Sequence, residues 1–302
     1  MNKNKPVIGF IGLGLMGHPF TRRLCSLGYT VIGHDLVAEK ITAAAAHGVV
    51  PASSAADLTS RADMVLLCVT STDAVHQAVF GPKGVVEGAS LAETGSGDKI
   101  LVDHSTTVVQ ATREMAAALS RQTGMGWIDA PVSGGPPAAG AGGLAIMAGG
   151  TEVDIARAAP VMADLAARFT HMGPVGAGQV TKMINQILVL NNYAILAEAL
   201  ALAEAGGIDA AKIPQALAAG HAGSNMLQSM YPRMLARDFA PAGFARQVLK
   251  DLDMLHDLAK ALGVPTPMSS QTASLYRILN SKGHGDLDGI AILKLFDQKD
   301  SV

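Results

Sequence analysis

Four short apolar runs in the first half of the chain alternate with helical patterns. The runs are VIGFIG (7–12), TVIGHD (30–35), MVLLCV (64–69) and KILVDHS (99–105), and between them lie HPFTRRLCSLG, VAEKITAAAAHG and DAVHQAVFG. Near-continuous apolar runs of this length read as strands buried on both faces. Strands that alternate with helices predict a parallel sheet with helices on both sides. GWIDAPVSGG (126–135) and GLAIMAGG (143–150) continue the strand series, and DIARAAPVMADLAA (154–167) adds a helix.

After HMGPVGAG (171–178) the character changes. The remainder reads as helices broken by turn signals at Gly206-Gly207, Ala219-Gly220, Pro241-Ala242-Gly243 and Gly263-Val264-Pro265. At 302 residues two domains are expected, here 1–173 and 174–302. Gln179–Ala205 reads as one long helix joining them. Asn185, Gln186, Asn191, Asn192 and Glu198 interrupt it within one bilayer thickness, so it is expected in a core and not in a membrane. Met226, Met230 and Met234 recur at helical spacing, which core packing explains.

The formal net charge of −2 offers no basic footprint for nucleic acid. Two cysteines, Cys25 and Cys68, are too few for a disulfide framework and point to a reducing cytoplasm. The N-terminus has the basic-then-apolar order of a secretory leader, but its apolar part is glycine-rich and no small-x-small cleavage site follows. The nine histidines are scattered without metal-ligand spacing, so no metal is expected.

GLGLMG places Gly12, Gly14 and Gly17 in a G-x-G-x-x-G pattern between a strand and a helix. In that context the glycines let a turn tighten and the backbone approach a pyrophosphate at a helix N-terminus. Asp35 ends the second strand, where an acid binds both ribose hydroxyls of NAD and repels the extra phosphate of NADP. Lys40 is the nearest cation after it. DAPVSGGPP (129–137) ends a strand in Ser133-Gly134-Gly135, whose backbone N–H groups and hydroxyl suit a small carboxylate. Lys182 stands in the first turn of the long helix, where the positive end of the helix dipole opposes a cation. Asn185, three residues on, shares its face. A lysine in a partly dry cleft can give a proton to a carbonyl oxygen or take one from a hydroxyl. Each feature also has a plainer reading: a strand-end turn for Asp35, a Gly-Pro turn for 133–137, and a lysine reaching to the surface for Lys182.

These motifs, in this order, resemble the β-hydroxyacid dehydrogenase family, which includes 3-hydroxyisobutyrate dehydrogenases and tartronate semialdehyde reductases. The resemblance covers essentially the whole chain. It rests on FIGLGLMGHPF, DAPVSGG, GAGQVTKMINQ and Lys250-Asp251-Leu252. It implies a Rossmann-type doubly wound α/β domain followed by an all-α domain, joined by the long helix. Lys182 would be the catalytic residue, and Ser133, Gly134, Gly135 and Asn185 would hold the substrate. Gly12, Leu13, Gly14, Leu15, Met16, Gly17, Asp35, Thr106 and Lys250 would contact the cofactor, with Thr106 beside the nicotinamide. NAD(H) is the expected cofactor, with NADP(H) as the alternative. The implied reaction moves a hydride between that cofactor and a small carboxylate-bearing aldehyde or hydroxy acid, in a homodimer or homotetramer.

The Asn185-Gln186 pair, AGSNML (222–227) and KGHGDLD (282–288) resemble the branch that reduces tartronate semialdehyde (2-hydroxy-3-oxopropionate). The alternatives are 3-hydroxyisobutyrate, glyoxylate and succinic semialdehyde. Beyond them stand a nicotinamide-binding module without catalysis, which has no need of Lys182, and an imine reductase, which usually lacks that lysine. The chain departs from the family pattern in CVTST (68–72), where a Leu-Pro pair is usual, in Gly143 for threonine, in Phe20 for methionine and in a longer turn at 89–99.

Overall fold

The computed structural model describes residues 5–91 and 98–297, so most of the turn expected at 89–99 lies outside the described residues. The chain divides into two compact units, Met1–Lys182 and Met183–Val302. The first unit runs β1 (Ile8–Ile11), α1 (Gly17–Ser26), β2 (Val31–His34), α2 (Ala38–Ala45), β3 (Val50–Pro51), α3 (Ala55–Arg61), β4 (Met64–Leu67), α4 (Thr72–Phe80) and α5 (Val85–Ser90). It continues through β5 (Ile100–Asp103), α6 (Val109–Thr123), β6 (Gly126–Asp129), β7 (Val132–Ser133), α7 (Gly135–Ala141), β8 (Leu144–Gly149), α8 (Glu152–Leu165) and β9 (Ala166–Gly173).

Among the described residues the strands form one sheet in the order β3-β2-β1-β4-β5-β6-β8-β7, with β9 paired to β8. The first six run parallel, which is the doubly wound order with a switch point beside β1. β8 then runs antiparallel to β6 and β7. Alternate residues of the central parallel strands enter different cores. Phe10, Leu66 and Val102 pack with Phe20 and Leu24 of α1 on one face. Ile11, Leu67 and Leu101 pack with Leu58, Val75 and Leu119 of α3, α4 and α6 on the other. Both faces are therefore dry, which is why these strands read as apolar runs.

The sequence read 126–135 as one strand, but Ala130-Pro131 divides it into β6 and β7. A strand at 166–173 was not expected. Its side chains are mostly half-buried or exposed, so it shows no apolar periodicity. Backbone pairing to β8 alone makes it a strand.

α9 (Ala177–Ala205) is the long helix, two residues longer than expected at its start. The unit division falls within it because its start is bonded to the sheet, through Asp129 and Val132; with the helix beginning at Ala177, Lys182 stands in its second turn and not in the first as expected. Among the described residues it alone is long and apolar enough to cross a membrane by length and composition. Its Leu190, Ala197 and Leu200 are buried in the core of the second unit. The same core takes Leu227, Tyr231 and Met234 of α11 (Asn225–Leu235), Leu252 of α12 (Ala245–Ala261) and Tyr276 of α13 (Pro267–Ser281). A short α10 (Ile213–Leu217) precedes them. The expected turn signals all fall between these helices.

Buried polar groups tie the layers of the first unit. The Lys99 ammonium donates to the carbonyls of Thr59 and Ala62 at the end of α3. His104, after β5, stacks on Phe20 with ring centroids 5.0 Å apart and bonds the Ala130 carbonyl through Nδ1 at 2.8 Å. A carbonyl only accepts, so Nδ1 carries the proton. Burial pushes the His104 pKa down to about 4. Between pH 6.5 and 4 the unfolded chain therefore binds a proton that the folded chain refuses, and stability falls as pH falls through that window. From pH 6.5 to 5 the loss is expected to be about 1.5 kcal/mol. Denaturant titrations of the wild type and His104→Leu across this range check it; parallel pH slopes would remove the histidine from the account.

Candidate active site

The glycine loop between β1 and α1 has the three roles its spacing calls for. Gly12 has φ +92°, and a Cβ there would overlap the Cys68 carbonyl. A Cβ on Gly17 would overlap the Gly12 carbonyl, so helix and strand pack only through glycine. At Gly14 the nearest atom to an added Cβ is Lys40 Nζ, 3.8 Å away, which leaves the backbone open to a ligand. α1 has no side-chain cap and no acid in its first turn, so its N-terminal dipole stands uncompensated. Leu13, Leu15 and Met16 lie in this loop. The donors fit a pyrophosphate.

Asp35 closes the loop from the end of β2. Its carboxylate accepts from Leu13 N–H at 2.8 Å on one oxygen and from Val37 N–H at 2.9 Å on the other. Each oxygen keeps a further lone pair for a ribose hydroxyl. Lys40 Nζ stands 3.6 Å from the same carboxylate.

Lys182 is buried, and its Nζ donates to the Val132 carbonyl at 2.8 Å. That contact sets it beside Ser133-Gly134-Gly135, where Gly134 (φ +126°) and Gly135 (φ +69°) adopt conformations closed to most residues. Two residues outside the expected site organise this region. Asp129 accepts from Gly176 N–H at 2.7 Å and Gln179 N–H at 2.8 Å. Gln179 in turn accepts from Thr107 N–H at 3.1 Å and donates to the Ser105 carbonyl at 2.8 Å. Thr106 lies between these two anchored residues. Burial pushes the Asp129 carboxyl up to about 6, against the backbone N–H groups of Gly176, Gln179 and Gly178, which pull it down. Burial, reinforced by Asp103, pushes the Cys68 thiol up to about 12, and Lys182 partly offsets it. Cys68 therefore stays a thiol.

The departure at 68–72 is built on hydroxyl groups. Ser71 caps α4 through Ala74 N–H, and Val69 N–H donates to Ser105 Oγ at 2.9 Å. Val108 N–H donates to Thr72 Oγ1 at 3.0 Å. These bonds fix a loop that a proline would otherwise stiffen.

In the second unit, Asn185 Nδ2 donates to Gln186 Oε1 at 2.9 Å, and Gln186 donates to Asp251. Asp251 pairs with Lys250 Nζ at 3.1 Å. The two site residues expected here thus join one polar chain through Gln186 and Asp251. Asp129, Gln179 and Asp251 were not expected as contributors, although they lie in DAPVSGG, GAGQVTKMINQ and Lys250-Asp251-Leu252. Their signal was a polar residue in an otherwise apolar or glycine-rich stretch.

An open cavity of about 680 Å3 lies between α1 and α7, lined by Leu15, His18, Pro19, Arg22, Pro136 and Gly140 among others. It flanks the glycine loop without including Asp35 or Lys182. Among the described residues no three His, Cys, Asp or Glu side chains gather to hold a metal ion.

Comparison with known proteins accords with this geometry. Residues 7–173 match the NAD binding domain of 6-phosphogluconate dehydrogenase. Residues 176–296 match the domain described as NAD-binding of NADP-dependent 3-hydroxyisobutyrate dehydrogenase. The chain is 34% identical to NAD-dependent L-serine dehydrogenase of Pseudomonas aeruginosa, over 96% of this chain and 97% of that one. It is 32% identical to 2-hydroxy-3-oxopropionate reductase of Escherichia coli, over 96% and 97%. The crystal structure of 3-hydroxyisobutyrate dehydrogenase from Salmonella typhimurium superposes with a TM-score of 0.86 at 29% identity, over 96% of this chain and all of that one. Two domain matches in tandem, full-length relatives and a shared fold lead to one assignment: the chain belongs to the β-hydroxyacid dehydrogenase family and is an NAD(P)-dependent oxidoreductase.

Proposed function

We propose that this enzyme reduces tartronate semialdehyde to glycerate, with NADH as the preferred reductant and Lys182 as the proton donor. The carrying observation is the 2.8 Å bond from Lys182 Nζ to the Val132 carbonyl, which sets a buried ammonium next to Ser133-Gly134-Gly135. The bound cofactor supplies the hydride. Ser133 Oγ and the N–H groups of Gly134 and Gly135 hold the carboxylate. Lys182 stabilises and protonates the alkoxide oxygen as it forms, and Asn185 orients the substrate. In the oxidative direction Lys182 takes the proton back. Thr106 and Lys250 contact the cofactor. Asp35 reads the ribose hydroxyls and disfavours a 2′-phosphate, while Lys40 beside it leaves NADP(H) as a weaker alternative.

The reductase of Escherichia coli supports this substrate, together with the Asn185-Gln186 pair. The second reading is oxidation of 3-hydroxyisobutyrate, supported by the Salmonella typhimurium structure; glyoxylate and succinic semialdehyde follow. Free Cys25 and Cys68 suit a cytoplasmic enzyme. Ile184, Leu188, Ile195 and Leu202 form an exposed apolar line along α9 that suits a homodimer or homotetramer.

Lys182→Met is expected to lower kcat by roughly 100-fold or more with an unchanged Kd for NADH. A loss below about tenfold would remove Lys182 from the acid role. Asp35→Ser is expected to shift the kcat/KM ratio toward NADPH by about tenfold, through removal of one repelling charge. An unchanged ratio would assign Asp35 to the loop alone. The substrate is tested by NADH oxidation with tartronate semialdehyde, glyoxylate and succinic semialdehyde, and by NAD+ reduction with 3-hydroxyisobutyrate; absence of turnover with tartronate semialdehyde alone would move the assignment to the second reading.

A further inference from the structure

We propose that Asp129 and Gln179 are positioning residues for Lys182: they lock the first turn of α9 against the strand end that carries the carboxylate site. This rests on the reading of Lys182 as the proton donor. The first turn begins Gly176-Ala177-Gly178 and has no polar side chain of its own to cap it. The cap comes instead from Asp129, 47 residues before Gly176 in the chain. Its oxygens take Gly176 N–H and Gln179 N–H.

The geometry forms two rungs. Asp129 and Val132 are three residues apart on one side, and Gln179 and Lys182 are three apart on the other. Asp129 accepts from Gln179, and Val132 accepts from Lys182. The segment that delivers Ser133 and the turn that delivers Lys182 are therefore tied at both ends. Gln179 adds a third tie, to Ser105 and Thr107 on either side of Thr106.

Close packing holds the carboxylate in this socket. A Cβ on Gly149 would lie 2.5 Å from Asp129 Oδ1, and one on Gly178 would lie 2.9 Å from Oδ2. Asp129 is wholly buried. Its negative charge also offsets the positive helix end that opposes a cation at Lys182. A donor displaced by about 1 Å can cost on the order of 100-fold in turnover.

The test is a cycle of Asp129→Asn and Lys182→Met in the full-length enzyme, with kcat for the preferred aldehyde and NADH Kd from nicotinamide fluorescence. Asp129→Asn keeps the shape but sets an amide against N–H donors. It is expected to lower kcat by roughly 30-fold or more in the wild-type background, and less than about threefold when Lys182 is already methionine. NADH Kd is expected to change by less than about threefold in both, as the glycine loop is untouched. An equal loss in both backgrounds, or a loss of NADH binding in step with kcat, would overturn the proposal. A high kcat in Lys182→Met alone would instead overturn the acid role. Gln179→Ala runs through the same cycle if Asp129→Asn does not fold; if neither folds, the two residues are structural and the proposal falls.

Discussion

A carboxylate removed from water without partners costs several kcal/mol, and a chain tolerates it only when hydrogen bonds repay that cost. Asp129 meets this condition in part at the carboxyl end of β6: N–H groups from the start of α9 offset some of the cost, and burial still raises its carboxyl to about 6. The neighbouring backbone conforms to it. β8 ends in Gly149 because a side chain there would meet the carboxylate, and Gly178 in the first turn of α9 leaves room for the Asp129 and Met147 carbonyls as well as that carboxylate. The end of β6, the end of β8 and the start of α9 thus meet around one carboxylate.

The parallel sheet was legible because its strands are buried on both faces and carry the signal in every residue, as in Met64–Leu67 and Ile100–Asp103. The glycine loop was legible because close approach leaves no choice of residue at Gly12 and Gly17. β9 was not, because its side chains carry no periodic burial and its existence depends on a partner strand. The links Asp129–Gln179 and Gln179–Ser105 join residues 50 and 74 apart, and no local pattern encodes such a pair. Lys182 showed only as an electrostatic oddity; its bond to the Val132 carbonyl joins residues 50 apart on different elements.

The relatives share the architecture and differ in what they act on. Proteins named for L-serine and for 2-hydroxy-3-oxopropionate resemble the chain almost equally, at 34% and 32% identity. Each name describes a short molecule with a carboxylate and an oxygen two carbons beyond it. The carboxylate site proposed at Ser133-Gly134-Gly135 would read what these molecules have in common. Discrimination must then come from side chains that meet the rest of the molecule, few in number and free to vary without disturbing the sheet.

Asp35 is part of the loop it serves. Both of its oxygens already hold backbone N–H groups, one from the glycine loop and one from the turn into α2. The side chain therefore gives up its rotational freedom when the domain folds, and in its proposed role little would remain to be lost to a ribose. Ordering a side chain at a binding interface commonly costs about 0.5–1.5 kcal/mol. Here that entropy is lost on folding, so if Asp35 meets the ribose as proposed, part of the affinity for the nucleotide is built into the fold as rigidity.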